Sequence, residues 1–103
     1  MKRIVEGKRY DTETAEEIAC YSNNLSSSDF RNCTETLYRT KNGSWFLHGR
    51  GGPLSPWSQT EGNTTWGDNR IKVLETSDAK RWLEENDFTD EVEKHFGDMI
   101  KDA

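Results

Sequence analysis

Glu35-Thr-Leu-Tyr-Arg-Thr-Lys-Asn-Gly-Ser-Trp-Phe-Leu-His-Gly49 is the stretch that decides the fold. Two runs of apolar and β-favouring residues, Leu37 to Thr40 and Trp45 to His48, flank Asn42-Gly43. Asn-Gly is the strongest short hairpin signal, because a type I′ turn needs positive φ at both central residues. With Asn42 and Gly43 at the turn, Thr40 faces Trp45, Arg39 faces Phe46 and Tyr38 faces Leu47. Tyr38, Trp45 and Leu47 then share one face of the hairpin, and Leu37 and Phe46 the other. Large apolar groups on both faces place this hairpin inside a sheet covered on at least one side.

Working outward towards the N-terminus, Ile4-Val5 and Arg9-Tyr10 flank Glu6-Gly7-Lys8, the pattern of a short strand or hairpin with a glycine turn. Thr14 and Glu17 have the spacing of a capping box, and Glu13, Glu16 and Glu17 complement the positive end of a helix dipole. The spacing of Ala15, Ile18 and Ala19, with Tyr21 or Cys20, predicts a helix over Ala15 to Ser22. Ser22 to Asp29 is loop chemistry, because short polar side chains compete for the backbone; Phe30 is expected to anchor it.

Towards the C-terminus, Gly49-Arg-Gly-Gly-Pro53 opens a loop of about twenty residues carrying Trp57, Trp66 and both prolines, Pro53 and Pro56. Ile71 to Leu74 predicts a further strand pairing with the hairpin. Ser77 is placed to cap a helix to about Asn86 with Ala79, Trp82 and Leu83 inward. Thr89 is placed to cap a second, in which Val92, Phe96, Met99 and Ile100 recur at helical spacing and Gly97 interrupts. The expectation is one α+β domain over residues 1–103. It has a small antiparallel sheet of about 3–4 strands, one N-terminal helix and two C-terminal helices.

Composition bounds the function. Hydrophobic residues make up 31% and charged residues 32%, a lean core that four Trp, four Phe and three Tyr enlarge. The net charge of −5 argues against general nucleic-acid binding, which needs a basic footprint. No stretch approaches membrane-spanning length, and Met1-Lys-Arg-Ile-Val5 does not read as a signal peptide. The chain is therefore expected in the cytoplasm, where a Cys20–Cys33 disulfide is disfavoured and the Asn-x-Ser/Thr triplets at Asn32, Asn42 and Asn63 carry no glycan.

Nothing in the spacing marks a cofactor, a metal or a catalytic group. There is no CxxC, and His48 and His95 are far apart in sequence. Gly49-Arg-Gly-Gly52 matches neither a P-loop nor a dinucleotide fingerprint. His48 is the best general base by type, yet its expected cross-strand neighbour is Leu37. The chain is expected not to be an enzyme.

Candidate binding residues stand out by charge and by size. Ten acidic residues from Glu75 to Asp102 face only Lys80, Arg81, Lys94 and Lys101. Such a run is ordinarily a solvated helix face; the sharper reading is a surface that docks on a basic groove and imitates nucleic-acid phosphates. Glu84, Glu85, Asp87, Asp90 and Glu91 are its candidates, with Arg50, Trp57 and Trp66 of the long loop as anchors. Trp57 and Trp66 have a second reading as satellite core under that loop. A basic strip of Lys2, Arg3, Lys8, Arg9, Arg39 and Arg50, with Tyr38 or Trp45 for stacking, is the alternative surface.

Lys8-Arg-Tyr-Asp-Thr-Glu-Thr-Ala15, the stretch from Glu35 to Gly52, and the strand and acidic helix around Ile71 to Glu85 together resemble a family of small acidic proteins. These are carried by phages, plasmids and other mobile elements of Gram-positive bacteria, and relatives often have an acidic residue where this chain has Arg50. Proteins of this size, charge and genetic setting include anti-CRISPR inhibitors. The resemblance implies a non-enzymatic inhibitor that binds a CRISPR effector (a Cas protein) or another host defence nuclease and blocks DNA binding or cleavage. The alternative is a small nucleic-acid or ribonucleoprotein accessory protein using the basic strip. An exposed edge of the small sheet would also let two copies pair as a homodimer.

Overall fold

A computed structural model describes all 103 residues. Its centre is the expected hairpin, β4 (Cys33–Arg39) and β5 (Trp45–Gly51), but in a different register. Arg39 pairs with Trp45, Tyr38 with Phe46 and Leu37 with Leu47. The cause is one extra loop residue. The Thr40 amide donates to the Ser44 carbonyl at 2.8 Å, and the Gly43 amide donates to the Thr40 carbonyl at 2.9 Å. Gly43 alone takes a positive φ, of 85°. This is a type I turn closed by a left-handed glycine, not a type I′ turn. A slip of one residue exchanges the faces of a strand. Leu37, not Tyr38, therefore joins Trp45 and Leu47, while Tyr38 stacks on Phe46 with centroids 5.1 Å apart.

The hairpin lies inside a four-stranded antiparallel sheet of order β3-β4-β5-β8, with β3 at Glu16–Ser22 and β8 at Asp68–Leu74. The strand β3 occupies the segment expected to be an N-terminal helix. A β-bulge explains the misreading: the register shifts between Glu17 and Ala19. Ile18 and Ala19 consequently both pack on the same core, with Tyr21 two residues on, and Ala15 packs on the opposite one. Apolar positions 15, 18, 19 and 21 imitate the spacing of a helix although the backbone is extended. The Thr14–Glu17 capping box does not form. Asp11 instead accepts the Glu13 amide at 3.0 Å and turns the chain into β3.

Eight strands and two helices make the chain mainly β, in place of the expected balance with three helices. Two small hairpins accompany the main sheet. The first, β1 (Lys2–Val5) with β2 (Lys8–Asp11), is the expected N-terminal hairpin, turned at Glu6-Gly7 with both φ positive. The second, β6 (Gln59–Glu61) with β7 (Thr64–Trp66), gives the stretch expected to be an irregular loop structure of its own.

Helices α1 (Thr76–Glu85) and α2 (Thr89–Phe96) are the two expected at the C-terminus. Neither has the expected side-chain cap; Glu75 and Phe88 stand at the N-cap positions of α1 and α2. At Gly97 α2 gives way to a single 3-10 turn, Gly97–Met99, which leaves Met99 and Ile100 exposed instead of inward. The sheet thus separates two cores. On one face Leu37, Trp45 and Leu47 pack with Trp82, Leu83, Val92 and Phe96 of the helices. On the other, Tyr10 of β2 covers Phe46 and Ile71.

Candidate functional site

The acidic candidates gather around the α1–α2 connection. Each helix buries one stripe, Ala79, Trp82 and Leu83 on α1 and Val92 and Phe96 on α2, so its charged residues are left outside. Glu84, Glu85, Asp87, Asp90 and Glu93 are exposed, and Glu91 is half-buried. They do not form one uniform patch. Glu84 and Glu93 flank a crevice of about 260 Å³ that also holds the exposed Ile100. Glu85 lies on the other flank of α1, in a groove with Asp78, Arg81 and Lys72.

Several of these carboxylates also serve the helices. Glu84 pairs with Lys80 at 3.3 Å, one turn away. Asp90 and Glu91 sit in the first turn of α2, where they complement its dipole. Glu91 lies 3.6 Å from Nε2 of His95, a side chain only 7% exposed, whose ring meets Trp45 edge-on. Asp87 has a left-handed backbone (φ 61°) and stops α1: Phe88 N donates to Leu83 O and Asp87 N to Glu84 O. This is the Schellman arrangement, completed by Phe88 stacking on Trp82. Glu85 and Glu93 are the acidic residues with no such local task.

Trp57 and Trp66 have different fates. Trp66 ends β7 and is 42% exposed, as an anchor would be. Trp57 is 4% exposed, and its indole N–H donates to Oε2 of Glu35 at 2.7 Å. Trp82 of α1 donates to Oε1 of the same carboxylate at 2.8 Å. The Trp57 ring occupies the space above Gly49, where an added Cβ would lie 1.9 Å from the ring. Arg70 covers the ring at 5.4 Å. Trp57 is therefore core, and an exposed anchor it is not. Glu35 was not a candidate in the sequence; its place among inward-facing residues of β4 was the available signal.

Arg50 is exposed on the sheet face opposite the helices, away from the acidic residues. The basic strip is broken in the same way. Lys2, Arg3, Lys8 and Arg9 lie on the β1–β2 hairpin, and Arg3 donates to the Ile71 carbonyl at 2.8 Å. Arg39 lies on the helix side, 5.3 Å above the Trp45 ring. Trp45 itself is 4% exposed, out of reach of a stacking base.

The remaining chemistry-bearing residues lie apart from one another. His48 pairs across the sheet with Thr36 and Ile71, not with Leu37, and its Nε2 is hydrogen-bonded to Oδ1 of Asn69. Cys20 is exposed beside Thr36, whose hydroxyl donates to its sulfur at 3.4 Å. Cys33 is buried among the helix-side core residues, so the sheet separates the two thiols. Burial, followed by the Glu35 carboxylate, pushes the Cys33 thiol above its ordinary pKa. Burial does the same for the Tyr38 hydroxyl.

The chain matches no protein-family model, no curated protein and no solved structure. No helix is long and apolar enough to cross a membrane.

Proposed function

We propose that this protein is a non-enzymatic inhibitor of the anti-CRISPR kind, carried by a mobile genetic element. It docks its acidic helical end on the basic nucleic-acid channel of a CRISPR effector and blocks DNA binding or cleavage. The observation that carries this reading is the set of exposed carboxylates at the α1–α2 connection, Glu84, Glu85, Asp87, Asp90 and Glu93, against a single ion pair to Lys80. A channel built for phosphates is lined with Lys and Arg, and carboxylates fixed on short helices present complementary potential to it. Complementary charge speeds encounter and selects partners. The exposed Ile100 beside Glu84 and Glu93 adds an apolar contact to that surface.

The nucleic-acid accessory reading draws less support, because Arg39 and Arg50 lie on opposite faces of the sheet and Trp45 is buried. The test is capture of effectors by the tagged protein from a CRISPR-bearing bacterial lysate, followed by a DNA-cleavage assay on the effector recovered. Stoichiometric recovery of an effector whose cleavage is blocked supports the reading. Recovery of nucleic acid alone, or of an effector that still cleaves, overturns it.

A further inference from the structure

We propose that the uncovered half of the sheet face opposite the helices binds a small hydroxylated phosphate ester, a sugar phosphate in chemical class, with Arg50 as the phosphate anchor. The register aligns Ser22, Thr34, Arg50 and Asn69 as one row across all four strands. Tyr10 of the N-terminal hairpin covers a different row, at Phe46, and leaves this one open. The connections around Leu25 to Asn32 and at Gly67 border the row, which forms an open hollow of about 680 Å³. Small-molecule sites fall roughly between 300 and 1,000 Å³. Its border at Gly67 is tightly packed backbone: a Cβ there would lie 2.3 Å from the Gly51 carbonyl oxygen.

The hollow is rich in unused donors. Arg50 is in no ion pair, and neither its guanidinium nor the Thr34 hydroxyl is hydrogen-bonded within the chain. Ser22 Oγ accepts the Asn24 amide, which leaves its O–H to donate. His48 holds Asn69 by Oδ1, so the Asn69 amide N–H2 faces away from the His48 ring. The carboxylate at the rim, Asp68, is already engaged by the Gln59 side chain at 2.9 Å and the Asn69 amide at 2.8 Å. N–H and O–H groups lining one hollow with an arginine suit an oxyanion. A guanidinium fork matches carboxylate and phosphate alike, and the additional hydroxyl donors favour phosphate, which has three acceptor oxygens to a carboxylate's two. Leu25 is the single apolar residue of the lining, which includes no aromatic ring. A base would find nothing to stack on, whereas the hydroxyls of a sugar would meet Ser22, Ser27, Thr34 and Asn32. This site is independent of the acidic docking surface.

The test is a titration of the full chain, followed by ¹H–¹⁵N correlation spectra, with inorganic phosphate, ribose 5-phosphate, ribose and adenosine 5′-monophosphate. Ribose 5-phosphate is expected to give saturable shifts confined to Thr34, Arg50, Gly51 and Asn69 and to bind several-fold tighter than inorganic phosphate, with ribose inert. Arg50→Gln, an exposed change, should weaken it about tenfold, and Thr34→Val should weaken it less. Shifts that spread over Lys2, Lys8 and Arg9 without saturating would overturn the site, as would binding that survives Arg50→Gln. Adenosine 5′-monophosphate binding tighter than ribose 5-phosphate, or inorganic phosphate binding equally well, would overturn the assignment to sugar phosphates.

Discussion

The indole N–H of Trp57 donates to Oε2 of Glu35 across 2.7 Å, joining the loop after β5 to the middle of β4. The carboxylate's other oxygen receives Trp82 of α1, so one side chain ties the sheet, the loop and the helical layer together. Hydrogen bonds to a charged acceptor are roughly twice as strong as neutral ones. Glu35→Ala strands two nearly buried indole donors, each costing about 1–3 kcal/mol. The expected loss is about 2–6 kcal/mol in urea unfolding. Glu35→Gln, which keeps one acceptor oxygen, should lose less than Glu35→Ala.

Gly49 is fixed by the same tryptophan. Its Cβ position lies inside the Trp57 ring, so Gly49→Ala must displace the indole and break its bond to Glu35. Overpacking of this kind costs about 1–3 kcal/mol. The measurement is denaturant unfolding together with near-ultraviolet circular dichroism, where the tryptophan signal should change. An unaltered spectrum and midpoint would contradict the packing described.

Asp87 holds a left-handed conformation that glycine adopts without strain. Asp87→Gly should raise stability by up to about 1 kcal/mol, since relief of the strain outweighs the added chain entropy. Asp87→Val should lower it by at least as much. Thermal unfolding of the pair checks the sign.

The thiols should differ in reactivity. Cys20 is exposed and Cys33 is buried with a raised pKa, so a thiol reagent at neutral pH should label Cys20 alone in the folded chain. Unfolding should release Cys33. The linkage follows from the direction of the shift: a thiol raised in the folded state ionises more readily when unfolded. Its contribution is intact below the ordinary thiol pKa and is lost as pH rises past it. The Tyr38 hydroxyl, also raised, acts in the same sense at higher pH. Stability should therefore fall on the alkaline side, measured as the unfolding midpoint from pH 8 upwards (about the range of free thiols).

Much of the fold was legible where one local signal dominated. The N-terminal hairpin, the central hairpin, the β8 strand and both C-terminal helices follow from turn residues and apolar spacing. The readings that failed did so for tertiary reasons. The bulge at Ile18 gave β3 the apolar spacing of a helix, and a single αL glycine at Gly43 moved the register by one. The short β6–β7 hairpin is polar and exposed, so it lacks the alternation that marks a strand. At the candidate surface, charge was readable but geometry was not. Composition put Glu84 to Glu91 together; only the folded chain shows that Asp87 and Glu91 have structural work and that Trp57 is core.

The central claim is docking through the acidic helical end, and its most direct measurement is effector affinity after charge reversal. Glu85→Lys, Asp90→Lys and Glu93→Lys combined leave the Lys80–Glu84 pair, the Asp87 turn and the Glu91–His95 contact in place. The account predicts affinity lowered by at least about tenfold, weaker salt dependence and an unfolding free energy lowered only by about 1 kcal/mol, from reversing the charge of Asp90 in the first turn of α2. Undiminished affinity and inhibition in the folded triple variant would contradict it.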